Sequence, residues 1–266
     1  MIKQFTDQMG RTISVEWPVK RIISLVPSQT ELLYSLGLTD EVVGITKFCV
    51  HPKEWFHSKT RVGGTKKLDL EKIAALKPDM IIGNKEENEE VQIKQLMQDY
   101  PVWMSDIHNL DDALGMMGKV GEIVDKKDNA DVMINSVKER FEQLQKIEKP
   151  VRSAAYFIWR SPYMAVGKDT FINDMMARCG FMNVFNEHKD RYPKASKEDL
   201  IRHNPEVILL SSEPFPFSTK HIEEFKRICP KAKIVLVDGE YFSWYGSRLL
   251  DAPAYFAKVL DVCNNL

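Results

Sequence analysis

The chain is expected to fold as an α/β protein of two related lobes, and three observations predict it. Strand-sized apolar runs alternate with helical stretches along the 266 residues, the pattern of a mostly parallel sheet with crossover helices. One segment is written twice, as LEKIAALKPDMIIG at 70–83 and KEDLIRHNPEVILLSS at 197–212. Each copy places a glutamate seven residues before a proline (Glu71 and Pro78, Glu198 and Pro205), then an acid (Asp79, Glu206) and an apolar run. A helix ending near Lys77 or Asn204 and turning at proline into a buried strand fits both copies. Finally, no Gly or Pro occurs from Glu122 to Lys149, which predicts a long uninterrupted helix. The expected organisation is therefore two Rossmann-like lobes, 1–121 and 150–266, bridged by a rigid helix at 122–149. A cleft between such lobes is a favoured place for a small ligand.

The elements follow in order. FTDQMGRTISVE (5–16) predicts a hairpin turning at Gly10. Arg21–Val26 is a strand broken at Pro27-Ser28, and Thr30–Leu36 is a helix stopped by Gly37. Ser28 or Gln29 falls at that helix's N-terminus, where free N–H groups point outward. Val42–Thr46, Met80–Gly83 and Val102–Ser105 supply further strands. Asp111–Val124 is helical despite Gly115, Gly118 and Gly121. Asp128 caps a second helix to about Ile147, a span of roughly 30 Å. Past Pro150 the pattern restarts with strand Ala154–Trp159, helix Phe171–Cys179, strands Val207–Ser211 and Ile234–Val237, and a last helix from Leu249 to Cys263.

Composition narrows the function. The chain is 44% hydrophobic and 28% charged, as globular proteins are. Its net charge of −1 gives no broad basic surface for nucleic acid. No apolar run approaches the ~20 residues that a bilayer span needs. The N-terminal MIKQFTDQMG lacks an apolar signal core, which leaves either a cytosolic chain or one whose signal has been removed. Four cysteines (Cys49, Cys179, Cys229, Cys263) form no C-x-x-C pair and no zinc-site spacing.

Catalytic signatures are absent. There is no P-loop, nucleophile elbow, dinucleotide fingerprint or His-Glu-x-x-His, and Gly63-Gly64-Thr65-Lys66 is too short for a phosphate cradle. The six histidines are scattered singly, so no metal site is expected. What stands out instead is three aromatic loops that follow strands of the second lobe. They are Trp159-Arg160-Ser161-Pro162-Tyr163, Ser211-Ser212-Glu213-Pro214-Phe215-Pro216-Phe217 and Asp238 to Arg248, which contains Trp244. In open α/β sheets, ligands bind outside the carboxyl ends of the strands. Aromatic, arginine-bearing loops there suit a large, flat, partly anionic ligand.

These residues carry a resemblance. Asp7-x-x-Gly-Arg11, Pro18-x-x-Arg21-Ile-Ile-Ser-Leu-x-Pro27-Ser-x-Thr-Glu31, Leu36-Gly37 and Leu70-Glu71-x-Ile-x-x-Leu-x-Pro78-Asp79 look like the start of a class III periplasmic binding protein. This is the helical-backbone metal receptor superfamily, whose members are receptors of ABC importers for cobalamin, ferric siderophores and haem. The resemblance runs nearly end to end and is nearest to the cobalamin-binding branch.

The resemblance implies a non-catalytic monomer that captures a metal chelate between its lobes and delivers it to a permease dimer. It implies no intrinsic cofactor, and contact with the membrane only through the permease. The ligand would be cobalamin, or alternatively a ferric siderophore or haem. Candidate ligand-binding residues are Ser28, Phe48, Lys66, Arg160, Tyr163, Tyr192, Glu213, Phe215, Trp244 and Arg248. A siderophore would draw on Arg160, Arg191 or Arg248, and a corrinoid on Tyr163 or Trp244. Glu71 and Glu198 match the permease-docking glutamates. Cys179 and Cys263 match a disulfide of the cobalamin branch, which implies an oxidising compartment. Thr65 and Asn84 stand where the cobalamin receptor carries Trp, a departure that leaves room for a siderophore or haem. Location by resemblance is periplasmic or extracytoplasmic. The competing expectation is a cytosolic enzyme or corrinoid-handling protein on the same scaffold.

Overall fold

The computed structural model describes residues 1–148 and 150–264. Lys149, the far end of the expected connecting helix, and the last two residues of the expected second lobe lie outside the described residues. By its internal contacts the chain divides into two compact units. The first comprises Met1–Ile107, Asp111–Ser136 and Tyr245–Arg248. The second comprises His108–Leu110, Val137–Trp244 and the chain from Leu249 onward.

The first unit opens with an antiparallel hairpin of β1 (Ile2–Thr6) and β2 (Thr12–Glu16). The Asp7–Arg11 motif is the knot of its turn. The buried Asp7 carboxylate accepts the backbone N–H groups of Met9 and Arg11, each at 2.9 Å, and the Arg11 guanidinium. The central sheet is parallel, with β3 (Ile22–Ser24), β4 (Val42–Ile45), β5 (Thr60–Arg61), β6 (Met80–Asn84) and β7 (Val102–Ser105) in the order β5-β4-β3-β6-β7. Around it lie α1 (Pro27–Ser35), α2 (Lys53–Ser58), α3 (Leu70–Leu76), α4 (Glu90–Leu96) and α5 (Leu110–Ile123). Helix α1 begins at Pro27, three residues before the expected start, because proline's fixed φ suits the first helical position. Gly121 in α5 has a packing reason. A Cβ there would lie 2.4 Å from Ala130 Cβ in α6 (Lys127–Gln145), so only glycine lets the two helices approach so closely. The expected uninterrupted helix at 122–149 is instead broken: α5 ends at Ile123, Asp125 takes a left-handed φ of 57°, and α6 runs only from Lys127 to Gln145, 19 residues or about 28 Å of rise, with the unit boundary inside it.

The second unit's sheet runs β10-β8-β11-β12, formed by β8 (Arg152–Trp159), β10 (Phe181–Asn183), β11 (Val207–Ser211) and β12 (Lys233–Val237). All of these pair in parallel, and β9 (Met164–Ala165) adds an antiparallel pairing to β8. The helices are α7 (Phe171–Cys179), α8 (Lys197–His203), α9 (Thr219–Ile228), α10 (Glu240–Ser243) and α11 (Ala252–Asn264). Phe157 of β8, Ile208 and Leu210 of β11, Leu200 of α8 and Phe225 of α9 share one core cluster.

The written repeat is a structural one. Helices α3 and α8 are both seven residues long and end on a left-handed residue, Lys77 (φ 46°) and Asn204 (φ 43°), before the proline. Strands β6 and β11 follow, and all five residues of each are buried. The acid after each proline pins the base of the neighbouring strand: Asp79 accepts from the Lys20 and Arg21 N–H groups, and Glu206 from the Ser153 N–H and hydroxyl.

One implied feature is corrected. Cys179 and Cys263 are both free, buried thiols. The Cys179 thiol donates to the Phe256 carbonyl oxygen at 3.7 Å. No bond joins the Cys179 and Cys263 sulfurs.

Candidate functional site

In the first unit the carboxyl ends of β3, β6 and β7 meet in a buried polar network. Gln29 Nε2 donates to Ser105 Oγ at 2.7 Å and to the Gly83 carbonyl at 3.2 Å. Asn84 Nδ2 donates to the same Ser105 hydroxyl at 2.9 Å. Asn84 Oδ1 in turn accepts the N–H groups of Glu86 and Glu87, which folds the loop after β6. Asn84 is 3% exposed and Thr65 9% exposed, so both side chains are part of the packed wall.

Ser28 is buried at the start of α1. Beside it lies Tyr245, whose hydroxyl burial pushes well above its ordinary pKa, with Ser28 and Ser105 acting against that rise. In the same segment Arg248 forks onto Glu31 of α1. Its Nη2 lies 2.7 Å from Oε1, and its Nε lies 3.2 Å from Oε2. Both side chains are largely shielded, at 16% and 19% exposure. Lys66 Nζ donates to the Glu86 carbonyl at 2.6 Å. Phe48 is half exposed, with Lys47 Nζ 5.0 Å from its ring centroid. Ser28, Phe48 and Lys66 thus sit on three separate segments.

In the second unit the three aromatic loops leave the carboxyl ends of β8, β11 and β12, as their order in the sequence predicts. Arg160 and Tyr163 converge on Glu224 of α9. Arg160 Nε lies 2.9 Å from Glu224 Oε2, and the Tyr163 hydroxyl donates to Oε1. Burial, and then the hydrogen bond and charge of Glu224, push the Tyr163 hydroxyl up to about 12. Burial also lifts Glu224, but the hydrogen bonds from Tyr163 and Arg160 outweigh it and hold the carboxyl below its ordinary range. Trp159, 40% exposed, packs edge-on against Phe215 with centroids 5.7 Å apart, and Phe215 packs on Phe217 and His221. Tyr192 lies under the Arg191 guanidinium, 6.0 Å from ring centroid to Cζ.

Glu213 anchors the remaining pair. Its Oε1 accepts from Ser243 Oγ at 2.6 Å and from Trp244 Nε1 at 3.0 Å. Burial raises its carboxyl pKa, and the nearby charges of Glu240 and Asp238 add to the rise, against the bonds from Ser243 and Trp244. Trp244 is only 7% exposed.

Arg160 and Arg248, offered by the sequence as anchors for an acidic ligand, are therefore each engaged by a carboxylate of their own unit. Sequence reading missed both partners. Glu224 lies 64 residues after Arg160 and Glu31 lies 217 residues before Arg248, separations that carry no local signal. Glu71 and Glu198 each lie in the first turn of their helix, exposed and without a partner among the described residues. Among the described residues no helix is long and apolar enough to cross a membrane, and no group of three or more His, Cys, Asp or Glu could hold a metal ion.

Comparisons with known proteins agree with this architecture. The periplasmic binding protein family matches residues 22–227. A vitamin B12-binding protein of Pectobacterium carotovorum is 23% identical over 246 residues, covering 91% of this chain and 88% of the relative. An uncharacterized ABC transporter substrate-binding lipoprotein of Bacillus subtilis is 27% identical over 215 residues, covering 76% and 67%. Among solved structures, the periplasmic vitamin B12-binding protein of Vibrio cholerae superposes with a TM-score of 0.80 at 21% identity, over 94% of this chain and 99% of that one. A periplasmic haem-binding protein from Roseiflexus gives 0.77 at 18% identity, over 92% and 99%. The matched span takes in both copies of the helix–proline–strand joint and every strand of both parallel sheets except β12, and on that ground the chain belongs to the periplasmic binding protein family.

Proposed function

We propose that this chain is the substrate-binding protein of an ABC importer and that its cargo is a corrinoid. The observation that carries the importer reading is the equivalence of Glu71 and Glu198. Each stands in the first turn of the same helix–proline–strand joint, one per unit, exposed and unpartnered among the described residues. Two matched acids suit two equivalent subunits of a permease dimer, where complementary charge steers docking. The corrinoid reading is supported by relatives named vitamin B12-binding proteins that align along most of both chains. It is also supported by aromatic side chains at the strand ends of the second unit, Trp159, Tyr163 and Phe215, none of them fully buried, which offer flat surface to a flat ligand.

Haem is the second reading, favoured by one observation. Thr65 and Asn84 replace two large aromatic surfaces expected of a cobalamin receptor, and Asn84 is committed to backbone bonds. In either case the metal arrives inside its chelate, and the protein supplies stacking and hydrogen bonds rather than metal ligands. The site performs no bond chemistry in this reading.

The test is uptake. Cells that lack this chain are compared with cells that express it for accumulation of labelled cobalamin and labelled haem. Restoration of cobalamin uptake supports the proposal. Restoration of haem uptake alone moves the cargo to the second reading, and restoration of neither contradicts both.

A further inference from the structure

Glu213 divides its carboxylate. Oε1 accepts from both Ser243 and Trp244, while Oε2 has no hydrogen-bond partner among the described residues. The residue is half-buried on the loop that leaves β11, and its backbone is fixed there. Ser211 Oγ donates to the Glu213 carbonyl at 2.6 Å, and the Tyr156 hydroxyl donates to Ser211. The adjoining loop after β12 is tied in by the Gly239 N–H, 2.9 Å from Ser212 Oγ. Gly239 comes so near that a Cβ on it would lie 2.7 Å from Glu213 Cγ. The Glu213 side chain is thus held from both sides, with one oxygen committed and one open.

The charges that face it are acidic. Glu240, at the start of α10, and Asp238, on the loop after β12, oppose its ionisation, while the Ser243 hydroxyl and the Trp244 indole favour it. An open carboxylate oxygen in such surroundings accepts a hydrogen bond from an N–H or O–H group and repels another carboxylate.

We propose that Glu213 is a specificity-determining residue whose Oε2 accepts a hydrogen bond from an amide N–H or hydroxyl on the rim of the ligand, so that this rim must be rich in donors and not in carboxylates. The proposal rests on the reading of the chain as a chelate receptor and deepens it. A rim of amides, as on a corrinoid, satisfies Oε2. A rim of propionates or carboxylates leaves it unpaired and faces it with like charge, and the loss of one charge-assisted hydrogen bond corresponds to roughly tenfold or more in affinity.

The experiment uses two forms of one ring: cobinamide, with amides around the corrin, and cobyrinic acid, with carboxylic acids in their place. Both are titrated by calorimetry at neutral pH into the wild-type chain and Glu213→Gln. The glutamine keeps an acceptor for Trp244 and Ser243 and presents N–H donors in place of the open oxygen. The expected result is a wild-type preference for cobinamide of about tenfold or more. In Glu213→Gln that preference should fall several-fold, chiefly through tighter binding of cobyrinic acid, with tryptophan emission unchanged. Equal wild-type affinities, or a ratio that Glu213→Gln leaves unmoved, overturn the proposal. If neither corrin binds, the corrinoid reading fails, and the same comparison is made with ferrioxamine B and ferric citrate. A preference for the amide-rich ferrioxamine that Glu213→Gln erases sustains the role of Glu213. A preference for citrate, or no binding of either, overturns it.

Discussion

Glu206 accepts the backbone N–H of Ser153 at 2.8 Å, and in the other unit Asp79 accepts that of Arg21 at 2.9 Å. In each case the acid directly follows the proline of the repeat, and the N–H it holds lies one residue before the first position at which the neighbouring strand pairs with the strand of the repeat. The acid in the written motif is therefore a clamp on strand order. Asp79→Ala and Glu206→Ala are each expected to lower stability by about 1 kcal/mol, with additive effects because the two share no partner. Urea unfolding of the two single variants and the double variant checks this.

The Glu206 clamp carries a pH signature. The Ser153 N–H holds its carboxyl below the ordinary range, against a smaller effect of burial. A depressed carboxyl stabilises the fold above its unfolded pKa of about 4.3 and loses that contribution as pH falls through the folded value. Glu206→Gln should accordingly match the wild type more closely in acid than at neutral pH, as read from urea midpoints across that window.

The Arg248–Glu31 fork holds the Tyr245–Arg248 segment against α1 in the first unit. Because both side chains are largely shielded, Arg248→Ala leaves a carboxylate without its fork and should cost about 2 kcal/mol. A double-mutant cycle with Glu31→Gln should return a coupling of about 1 kcal/mol, and additivity would show that the pair contributes nothing beyond packing.

Tyr163 predicts an alkaline limit. Its pKa is pushed up to about 12, so between about 10 and about 12 the folded chain keeps a proton that the unfolded chain releases, and stability falls as pH rises. Burial pushes Tyr156, Tyr245 and Tyr255 in the same direction, which makes the wild-type slope collective. Tyr163→Phe should flatten that slope measurably in denaturation series above about pH 9, while leaving neutral stability within about 1 kcal/mol of the wild type.

Docking predicts a separation of effects. Glu71→Ala and Glu198→Ala should each reduce ligand uptake by cells several-fold, and the double variant more than either, while the affinity of the purified chain for its ligand stays unchanged. A parallel loss of affinity would place these acids in ligand binding instead.

Much of the frame was legible in the sequence because it is written locally. Strands Val102–Ser105 and Val207–Ser211 and helix Phe171–Cys179 stand where apolar runs and flanking caps put them. The two joints were readable because a left-handed cap, a proline and an acid are consecutive residues. Strand β10 was hidden because three edge residues with Met182 exposed carry no period. Helix α9 is by contrast legible in principle, because Ile222, Phe225 and Ile228 recur on one face of an otherwise polar segment. The candidate site was legible as loops but not as bonds. That Glu213 grips Trp244, Arg160 grips Glu224 and Arg248 grips Glu31 depends on pairings across 31, 64 and 217 residues, which no spacing rule announces.

The central claim, that this chain captures a corrinoid, is tested most directly by calorimetric titration of the purified protein with cobalamin, alongside haem and a small set of ferric siderophores. The account predicts one-to-one binding of cobalamin, tighter than that of haem and weakened by Trp244→Ala and Tyr163→Ala. Binding of haem or a siderophore without cobalamin would contradict the corrinoid assignment, and binding of none of them would contradict the chelate-receptor reading itself.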